Sequence, residues 1–287
     1  MNQACFGPAG NPDSFYASGR KASVEMPEWL AGIGLNAYEY QLTRGVNVGE
    51  ATARAIGAKA VEFGIAMSIH APYYISLATE DENTAANTMN HFLKSLEAAQ
   101  WLGADRISFH MGGIGKLSRK DAFDLAKRRL EKVLEEADKR GLTGPKLAAE
   151  THGKVNQLGT VAEIVEVCKL SRQMTPLIDF AHLYAVAGGG YSEPSDYKCV
   201  FETIAAELGD DTARNLHIHF SSIEFSKGGE KRHWSFRDEM FGPPYQPLIQ
   251  LIVDEGLTPR IICESAGTQS EDAKTMQEFY LTLLKSK

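Results

Sequence analysis

Short apolar runs that end in a histidine or a carboxylate recur along this chain, and longer segments with helical spacing separate them. The residues at which these runs stop are His70, His110, Glu150, Asp179, His219 and Glu264. The runs have the length of buried strands, and the segments 82–102 and 119–140 carry apolar residues on one face. About eight strand–helix units follow one another, which is the number that closes a parallel barrel. We therefore predict a single-domain (β/α)₈ TIM barrel over residues 1–287.

The predicted elements alternate in the order that such a barrel requires. The predicted strands are 3–6, 35–41, 66–70, 106–110, 147–150, 177–179, 216–220 and 260–264. The predicted helices are 48–63, 82–102, 119–140, 161–170, 200–208, 248–255 and 273–284. A doubly wound open sheet is the alternative, but it usually has fewer strands and often a glycine-rich dinucleotide loop after the first one. The turn Gly7-Pro8-Ala9-Gly10 lacks the GxGxxG spacing of that loop, which favours the barrel.

The composition excludes several classes of protein. The formal net charge is -7, so net charge gives no argument for non-specific nucleic-acid binding. No apolar run approaches the length of a membrane span, and the first residues show no signal peptide. The four cysteines form no CxxC pair, which fits a reducing compartment. We expect a cytoplasmic protein that does not contact membranes, and we infer no obligate protein partner.

The barrel prediction gives the strand-end residues a common location. The carboxyl ends of all barrel strands lie at one face, where active sites form, so these side chains should converge there. His182 and His233 follow their strands on loops. Taken singly, a histidine at a strand end is more often structural than a ligand, and the joint pattern is what favours a site.

The residue types of this set predict metal binding. Imidazoles and carboxylates without thiolates suit zinc, manganese or iron(II). Several carboxylates on one face repel one another unless cations lie between them, and the ligands exceed what one tetrahedral ion uses. Two ions about 3.5–4 Å apart can share a bridging carboxylate and activate a bridging water. We therefore predict a cluster of at least two ions suited to phosphodiester hydrolysis.

Other polar residues near the predicted site leave alternatives open. His217 and His219 lie on one strand, and we expect only His219, nearer the strand end, to face the barrel axis. His152 is predicted to be a supporting or loop residue rather than a ligand. The segment 221–234 carries Lys227, Lys231, Arg232 and His233, and is either a solvated flexible loop or a phosphate-contacting lid. Tyr73-Tyr74 either stack on bases or pack under their loop.

Six motifs occur in order between residues 68 and 264. They are SIHAPYYISLA, FHMGG, ETHG…LGT, DFAHLYAVAGGGY, HFS…RH and ICES. Together they resemble the endonuclease IV family of apurinic/apyrimidinic endonucleases. The resemblance implies a TIM barrel with a trinuclear zinc site that cleaves damaged double-stranded DNA on the 5′ side of an abasic site. From the residues present we expect two or three Zn²⁺ ions, with Mn²⁺ or Fe²⁺ as alternatives.

The resemblance also implies a role for each ligand. His70, His110 and Glu150 would hold one zinc, and Glu150 would bridge to a second. Asp179, His219 and Glu264 would complete the second zinc site. His182 and His233 resemble ligands of the third ion. Tyr73 lies where the family has an aromatic side chain that enters the DNA, and Glu150 and Glu264 are the residues expected to be catalytic.

The sequence departs from the family pattern in two places. The third-zinc motif of the family is Asp-x-His, and the position of its aspartate is Lys231 here. Glu230 is the candidate replacement ligand, or else the third ion binds weakly or not at all. The DNA-penetrating loop after the second strand reads YEYQLTRGVNV, with Arg44 as its evident basic residue. Lys231 and Arg232, with Tyr73, are the predicted substrate-binding residues.

The main alternative is a sugar isomerase or epimerase of the same xylose isomerase-like barrel superfamily. Such an enzyme typically uses one divalent ion and two glutamates. Glu150 and Glu264 would then act as acid and base, with Asp179 and His219 as metal ligands. The extra histidines His70, His110, His182 and His233 favour several zincs and hydrolysis. A non-catalytic binding barrel is a third hypothesis, and it predicts little metal and no turnover.

Overall fold

The computed structural model describes residues 3–287, and its main feature is one eight-stranded parallel sheet. The strands in chain order are β1 (Cys5–Pro8), β2 (Ala37–Gln41), β3 (Ala66–His70), β4 (Arg106–Phe109), β5 (Lys146–Glu150), β6 (Met174–Asp179), β7 (His217–Phe220), β8 (Ser222–Ser226), β9 (Gly229–Trp234) and β10 (Arg260–Cys263). The sheet has the order β1-β10-β7-β6-β5-β4-β3-β2, and β8 pairs with β9 as a separate antiparallel hairpin. The predicted TIM barrel is confirmed.

Helices follow the barrel strands and cover the outside of the sheet. They are α1 (Asp13–Ala17), α2 (Met26–Gly32), α3 (Glu50–Phe63), α4 (Glu82–Leu102), α5 (Arg119–Lys139), α6 (Val161–Cys168), α7 (Phe180–Ala187), α8 (Pro194–Leu208), α9 (Asp210–Arg214), α10 (Gln246–Asp254) and α11 (Gln269–Lys285), with a 3₁₀ turn at Ser23–Glu25. Helix α4 begins where the Asp81 side chain accepts a hydrogen bond from the Thr84 N–H, and ends at Gly103 with φ 64°. Among the residues that the structure describes, no helix is long and apolar enough to cross a membrane.

The barrel closes where β1 meets β2. The Gly10 N–H donates to the Glu39 carbonyl at 2.9 Å, and the Asn36 side chain accepts from the Phe6 N–H at 2.8 Å. At Gly7 the two backbones are so close that a Cβ would lie 1.8 Å from the Ala37 carbonyl oxygen. Only glycine fits such an approach, so Gly7 is a condition of closure.

The barrel interior changes character along its axis. Small apolar residues, Ala9, Ala37 and Ile262, pack together in one layer. Toward the carboxyl ends of the strands the buried side chains become polar, beginning with Glu39 and ending with Glu150. Buried polar groups need partners, so the contacts of this half of the barrel decide whether it forms a polar site.

Several predicted boundaries differ from the structure. The first strand lies at Cys5–Pro8 rather than 3–6, because Gly7 and Pro8 continue the pairing with β10. Helices α1, α2, α7 and α9 have no counterpart in the prediction. The segment predicted as a loop, 221–234, is mostly the β8–β9 hairpin, in which Ile223 packs on Ala181 and Ala185 of α7. That one domain spans 1–287 stays a prediction.

Replacing Gly7 by alanine should destabilise the protein by about 1–3 kcal/mol, because the added methyl collides with backbone at the closing seam. Gly32→Ala is the matched control: an added Cβ at Gly32 meets nothing within 4 Å, and the free energy of unfolding should stay equal or rise by up to about 1 kcal/mol. Denaturant unfolding of both variants measures the difference. Equal stability of the two variants would contradict the role given to Gly7.

Candidate metal centre

The strand-end residues predicted from the sequence converge at the carboxyl ends of the barrel strands. They fall into three groups whose candidate ligand atoms lie within 4.8 Å of one another. The groups are His70, His110 and Glu150; Glu150, Asp179, His219 and Glu264; and His182, Glu230 and His233. The structure therefore brings together every residue predicted as a metal ligand, Glu230 included.

Glu150 belongs to two of the groups and divides its oxygens between them. Its Oε2 lies 3.2 Å from His70 Nε2 and 3.1 Å from His110 Nε2. Its Oε1 lies 3.3 Å from His219 Nδ1. The side chain is fully buried at the end of β5, where the strand fixes its direction. A carboxylate with one oxygen in each of two ligand groups has the geometry of a bridging ligand.

Three histidines have one ring nitrogen occupied and the other turned toward the groups. His70 Nδ1 donates to the Ala71 carbonyl, and His182 Nδ1 donates to the Thr151 carbonyl, each at 2.8 Å. His233 Nδ1 bonds the Ser221 hydroxyl at 2.7 Å. Such contacts fix the tautomer of a ligating histidine and direct its other nitrogen at the metal. In His70 and His233, Nε2 is the atom left to face the carboxylates. His182 faces Glu230 Oε2 through Nε2 at 3.5 Å, and its Nδ1 also lies 3.2 Å from Asp179 Oδ2.

Asp179 is both the cap of a helix and a candidate metal ligand. Its Oδ1 caps helix α7 by accepting the His182 N–H at 2.9 Å. Its Oδ2 is buried and has no hydrogen-bond partner. Because the cap holds the carboxylate in place, Oδ2 is directed into the group that contains Glu150 and His219.

The unpaired atoms of these groups fit divalent ions. Buried atoms without a hydrogen-bond partner include His110 Nε2, Glu150 Oε1, Asp179 Oδ2 and His219 Nδ1. Buried polar atoms are rarely left unpaired, so a set of them facing one another points to a missing ligand. A tetrahedral zinc site with ligand bonds of about 2.0–2.1 Å places its ligand atoms about 3.3 Å apart. The contacts of Glu150 with His110 and His219, at 3.1 and 3.3 Å, match that spacing.

A β-bulge explains how Glu230 reaches the third group. In a regular strand, residues 230 and 233 would face opposite sides. The pairing of β8 with β9 shifts register between Glu224 and Phe225, so that Arg232 and Glu230 oppose successive residues and Lys231 is the extra one. The bulge turns Glu230 to the side of His233 and His182, with Glu230 Oε2 3.5 Å from His182 Nε2.

Two glycines let the hairpin lie against the loop after β5. A Cβ at Gly229 would lie 2.1 Å from the Gly153 carbonyl oxygen, and a Cβ at Gly153 would lie 2.7 Å from His182 Cδ2. The Glu230 N–H donates to that same Gly153 carbonyl at 2.7 Å. The third group is therefore assembled by backbone contact between β9 and the β5–α6 loop.

A cavity of about 370 Å³ opens at the groups. Tyr73 lies on its wall and is 61% exposed, with its ring centroid 5.6 Å from that of His70. Lys231 and Arg232, the other predicted substrate-binding residues, are not among its lining residues. The Lys231 ammonium pairs with Glu224 at 2.9 Å, and the Arg232 guanidinium lies over Trp234. Lys154 lines the cavity instead, although no signal in the sequence separates it from other loop lysines.

Two further residues of the barrel interior were misjudged from the sequence. The expectation that only His219 faces the axis is wrong, because residues two apart share a face of a strand. His217 and His219 both face Glu39, with Nε2–oxygen distances of 3.5 and 3.1 Å. Glu39 was not predicted as a site residue. The sequence feature that could have indicated Glu39 is a carboxylate within the strand-like run 35–41, because a side chain that faces inward from such a strand is buried.

Electrostatics of the metal-free centre favour protons where ions would bind. Burial lowers the pKa of His70, but the hydrogen bond and charge of Glu150 outweigh burial and raise it to about 9. Burial likewise lowers the pKa of His182, while the charges of Asp179 and Glu150 raise it to about 9. His152 behaves differently: burial, followed by the charges of His110 and His182, lowers its pKa to about 2. His152, predicted to be a supporting or loop residue, lies in none of the ligand groups of the described residues.

The sequence matches the family described as Xylose isomerase-like TIM barrel over residues 27–283. The chain belongs to this family. An uncharacterized protein of Methanocaldococcus jannaschii is 30% identical over 262 residues, which cover 91% of this barrel and 91% of the relative. A probable endonuclease 4 of Nitratidesulfovibrio vulgaris is 27% identical over 180 residues, which cover 61% of this chain and 62% of the relative.

Solved structures of two kinds share the fold. Endonuclease IV from Thermus thermophilus superposes with a TM-score of 0.70 at 18% identity, covering 99% of this chain and 100% of that chain. D-psicose 3-epimerase from Clostridium cellulolyticum superposes with a TM-score of 0.68 at 14% identity, with 99% of each chain covered. At such identities the superpositions show the fold alone. The family match and the relatives named endonuclease 4 confirm the resemblance that the motifs indicated.

Zinc binding should be coupled to proton release. The pKa values of His70 and His182 are raised from 6.5 to about 9, so both rings carry protons near neutral pH in the metal-free protein. A binding ion must displace those protons, so the apparent zinc affinity should increase as pH rises toward about 9. Isothermal titration in buffers of different ionisation enthalpy measures the protons released. An affinity that does not change between pH 6.5 and 9 would contradict this assignment.

Glu230→Gln should lower the metal content by one ion per chain, because it removes the carboxylate that faces His182 and His233. Lys231→Ala is the matched control, since the Lys231 ammonium is engaged by Glu224 and its metal content should stay at the wild-type level. Elemental analysis after dialysis against a fixed free zinc concentration gives the content of both. Loss of an ion in Lys231→Ala, with none in Glu230→Gln, would reverse the assignment.

Proposed function

We propose that the protein is a zinc-dependent phosphodiesterase that cleaves double-stranded DNA on the 5′ side of abasic sites. The observation that carries the proposal is the set of three ligand groups joined at one face, two of them sharing Glu150. A barrel that binds a single ion needs only the group of Glu150, Asp179, His219 and Glu264. The additional imidazoles therefore favour a multinuclear centre.

The residues of this chain divide the work of such a reaction. Glu150 would contribute one oxygen to each of two ions, because its Oε2 faces His70 and its Oε1 faces His219. Glu264 lines the cavity and is 17% exposed, so it lies where the centre is open to a substrate. When bound, the ions supply Lewis-acid stabilisation of the attacking and leaving oxygens of the phosphodiester.

The rim offers groups suited to a damaged duplex. Tyr73 is an exposed aromatic side chain beside His70 and His110, suited to stack on a base next to the lesion. Lys154 lines the cavity, and the exposed Lys227 is carried on the hairpin turn, where the Val155 N–H donates to the Gly228 carbonyl. These cations can contact phosphates locally even though the net charge of the protein is negative.

A second candidate function is a metal-dependent sugar epimerase or isomerase. It is favoured by the group of Glu150, Asp179, His219 and Glu264, which places two glutamates around one ion position. A volume of about 370 Å³ is also sufficient for one small sugar. Under this function the imidazoles of the first and third groups would have no metal to bind.

The two functions are separated by one pair of assays on the zinc-loaded protein. A duplex with a single abasic analogue should give one nick on the 5′ side of the analogue, while ketoses should be returned unchanged. The undamaged duplex of the same sequence is the control and should stay intact. An intact abasic strand together with epimerised ketose would transfer the assignment to the second candidate.

Glu264→Gln and His110→Ala should each lower the nicking rate more than about 100-fold, because each removes a ligand to the centre. Lys198→Ala is a control on the outer surface, where Lys198 pairs with Glu255, and its rate should equal that of the wild type. Rates are measured with circular dichroism and metal content on the same samples. A wild-type rate in either ligand variant would remove the proposed mechanism.

A further inference from the structure

Glu39 is a fully buried carboxylate in the barrel interior beneath the metal centre. Its Oε2 accepts hydrogen bonds from the Ser68 hydroxyl at 3.0 Å and the Ser108 hydroxyl at 2.8 Å. Its Oε1 accepts from the Gln41 amide at 3.3 Å. Three neighbouring strands therefore hold this carboxylate in one orientation. A buried charge is costly unless it is paired, so such a construction requires an explanation.

His219 connects Glu39 to the centre. Its Nδ1 faces Glu150 Oε1 at 3.3 Å and Glu264 Oε1 at 3.4 Å. Its Nε2, at the other side of the ring, lies 3.1 Å from Glu39 Oε1. A neutral imidazole has one N–H and one lone pair. If Nδ1 gives its lone pair to an ion, Nε2 must carry the hydrogen, and Glu39 is the acceptor within reach.

We propose that Glu39 is a positioning residue, whose carboxylate takes the Nε2–H of His219 and thereby aims the Nδ1 lone pair of His219 at the ion held with Glu150, Asp179 and Glu264. The inference rests on the proposed metal centre and adds a residue to it. Neutral groups orient three of the other histidines: the Ala71 carbonyl for His70, the Thr151 carbonyl for His182 and the Ser221 hydroxyl for His233. A carboxylate that accepts the other ring N–H also makes the imidazole a more basic ligand. The affinity for this ion should therefore depend more on Glu39 than the affinities for the other ions depend on the groups that orient their histidines.

The surroundings of His219 Nε2 fit this role. The Nε2 atom is buried and makes no hydrogen bond to any other group of the described residues, while Glu39 Oε1 lies 3.1 Å from it. The ring is held between two carboxylate environments, and an ion at Nδ1 would fix its tilt. His217 lies on the same strand with Nε2 3.5 Å from Glu39 Oε2, and it is in none of the groups that contain Glu150.

The same three residues also define the competing explanation. Glu39, His217 and His219 have candidate ligand atoms within 4.8 Å of one another, and both ring nitrogens of His217 are unpaired. An ion held there directly would make His217 as important as Glu39. His217→Gln is therefore the control that separates positioning from direct ligation.

The test is a titration of metal-free protein with Co²⁺, followed by visible absorption, and with Zn²⁺ in competition with a chromophoric chelator. Glu39→Gln should lower the affinity for one ion by about 10- to 100-fold and leave the affinities for the other ions unchanged. His219→Gln should lower the affinity for the same ion. The double variant should bind that ion almost as tightly as His219→Gln alone, because Glu39 acts through His219. His217→Gln should bind all ions with affinities close to those of the wild type.

Each other result counts against the proposal. Unchanged affinities in Glu39→Gln remove the role of Glu39 while leaving the metal centre in place. If both Glu39→Gln and His217→Gln bind one ion fewer per chain than the wild type, Glu39 is a direct metal ligand rather than a positioning residue. A wild-type protein that binds no ion removes the proposed function itself. If Glu39→Gln does not fold, Glu39→Asp is the substitute, because it keeps the negative charge but places it one methylene farther from His219. It should lower the affinity for the same ion by a smaller factor, and an unchanged affinity overturns the proposal.

Discussion

The division of one buried carboxylate between two sets of imidazoles is the interaction on which the rest of the centre depends. Glu150 is the last residue of β5, and the next residue, Thr151, positions two other candidate ligands. The Thr151 hydroxyl accepts the Asp179 N–H at 2.8 Å, and the Thr151 carbonyl fixes His182. A displacement of this strand end would move ligands of all three groups together. The negative charge of Glu150 must be balanced in the dry barrel, by protons in the metal-free protein and by cations when they bind.

The fold and the convergence of the strand-end residues could be predicted because both follow from the same periodic property of the sequence. Parallel strands of a barrel end at one rim, so a polar residue that closes each apolar run is placed without knowledge of the loops. The β8–β9 hairpin could not be predicted in this way. Its alternation is interrupted by the bulge at Lys231, and its position depends on backbone contact at Gly153 and Gly229.

The interior residues were missed for a different reason. His217 was set aside by a wrong assignment of strand faces, which the period of two residues would have corrected. Glu39 lies in the middle of a short strand, where the sequence distinguishes an inward from an outward carboxylate only if the register is known. The start of β1 was misplaced because Gly7 and Pro8 resemble a turn, whereas the close approach to Ala37 makes glycine necessary within the strand.

The bulge in β9 has a consequence for the spacing of candidate ligands along the strand. Adding one residue to a strand ordinarily reverses every side chain beyond it, which makes insertions in ligand-bearing strands damaging. Here the extra residue is absorbed as a local distortion, and Glu230 lies opposite His182 on the same side of the strand as His233. A fixed interval between ligand residues therefore does not describe this strand, whereas the three-dimensional positions of its side chains do.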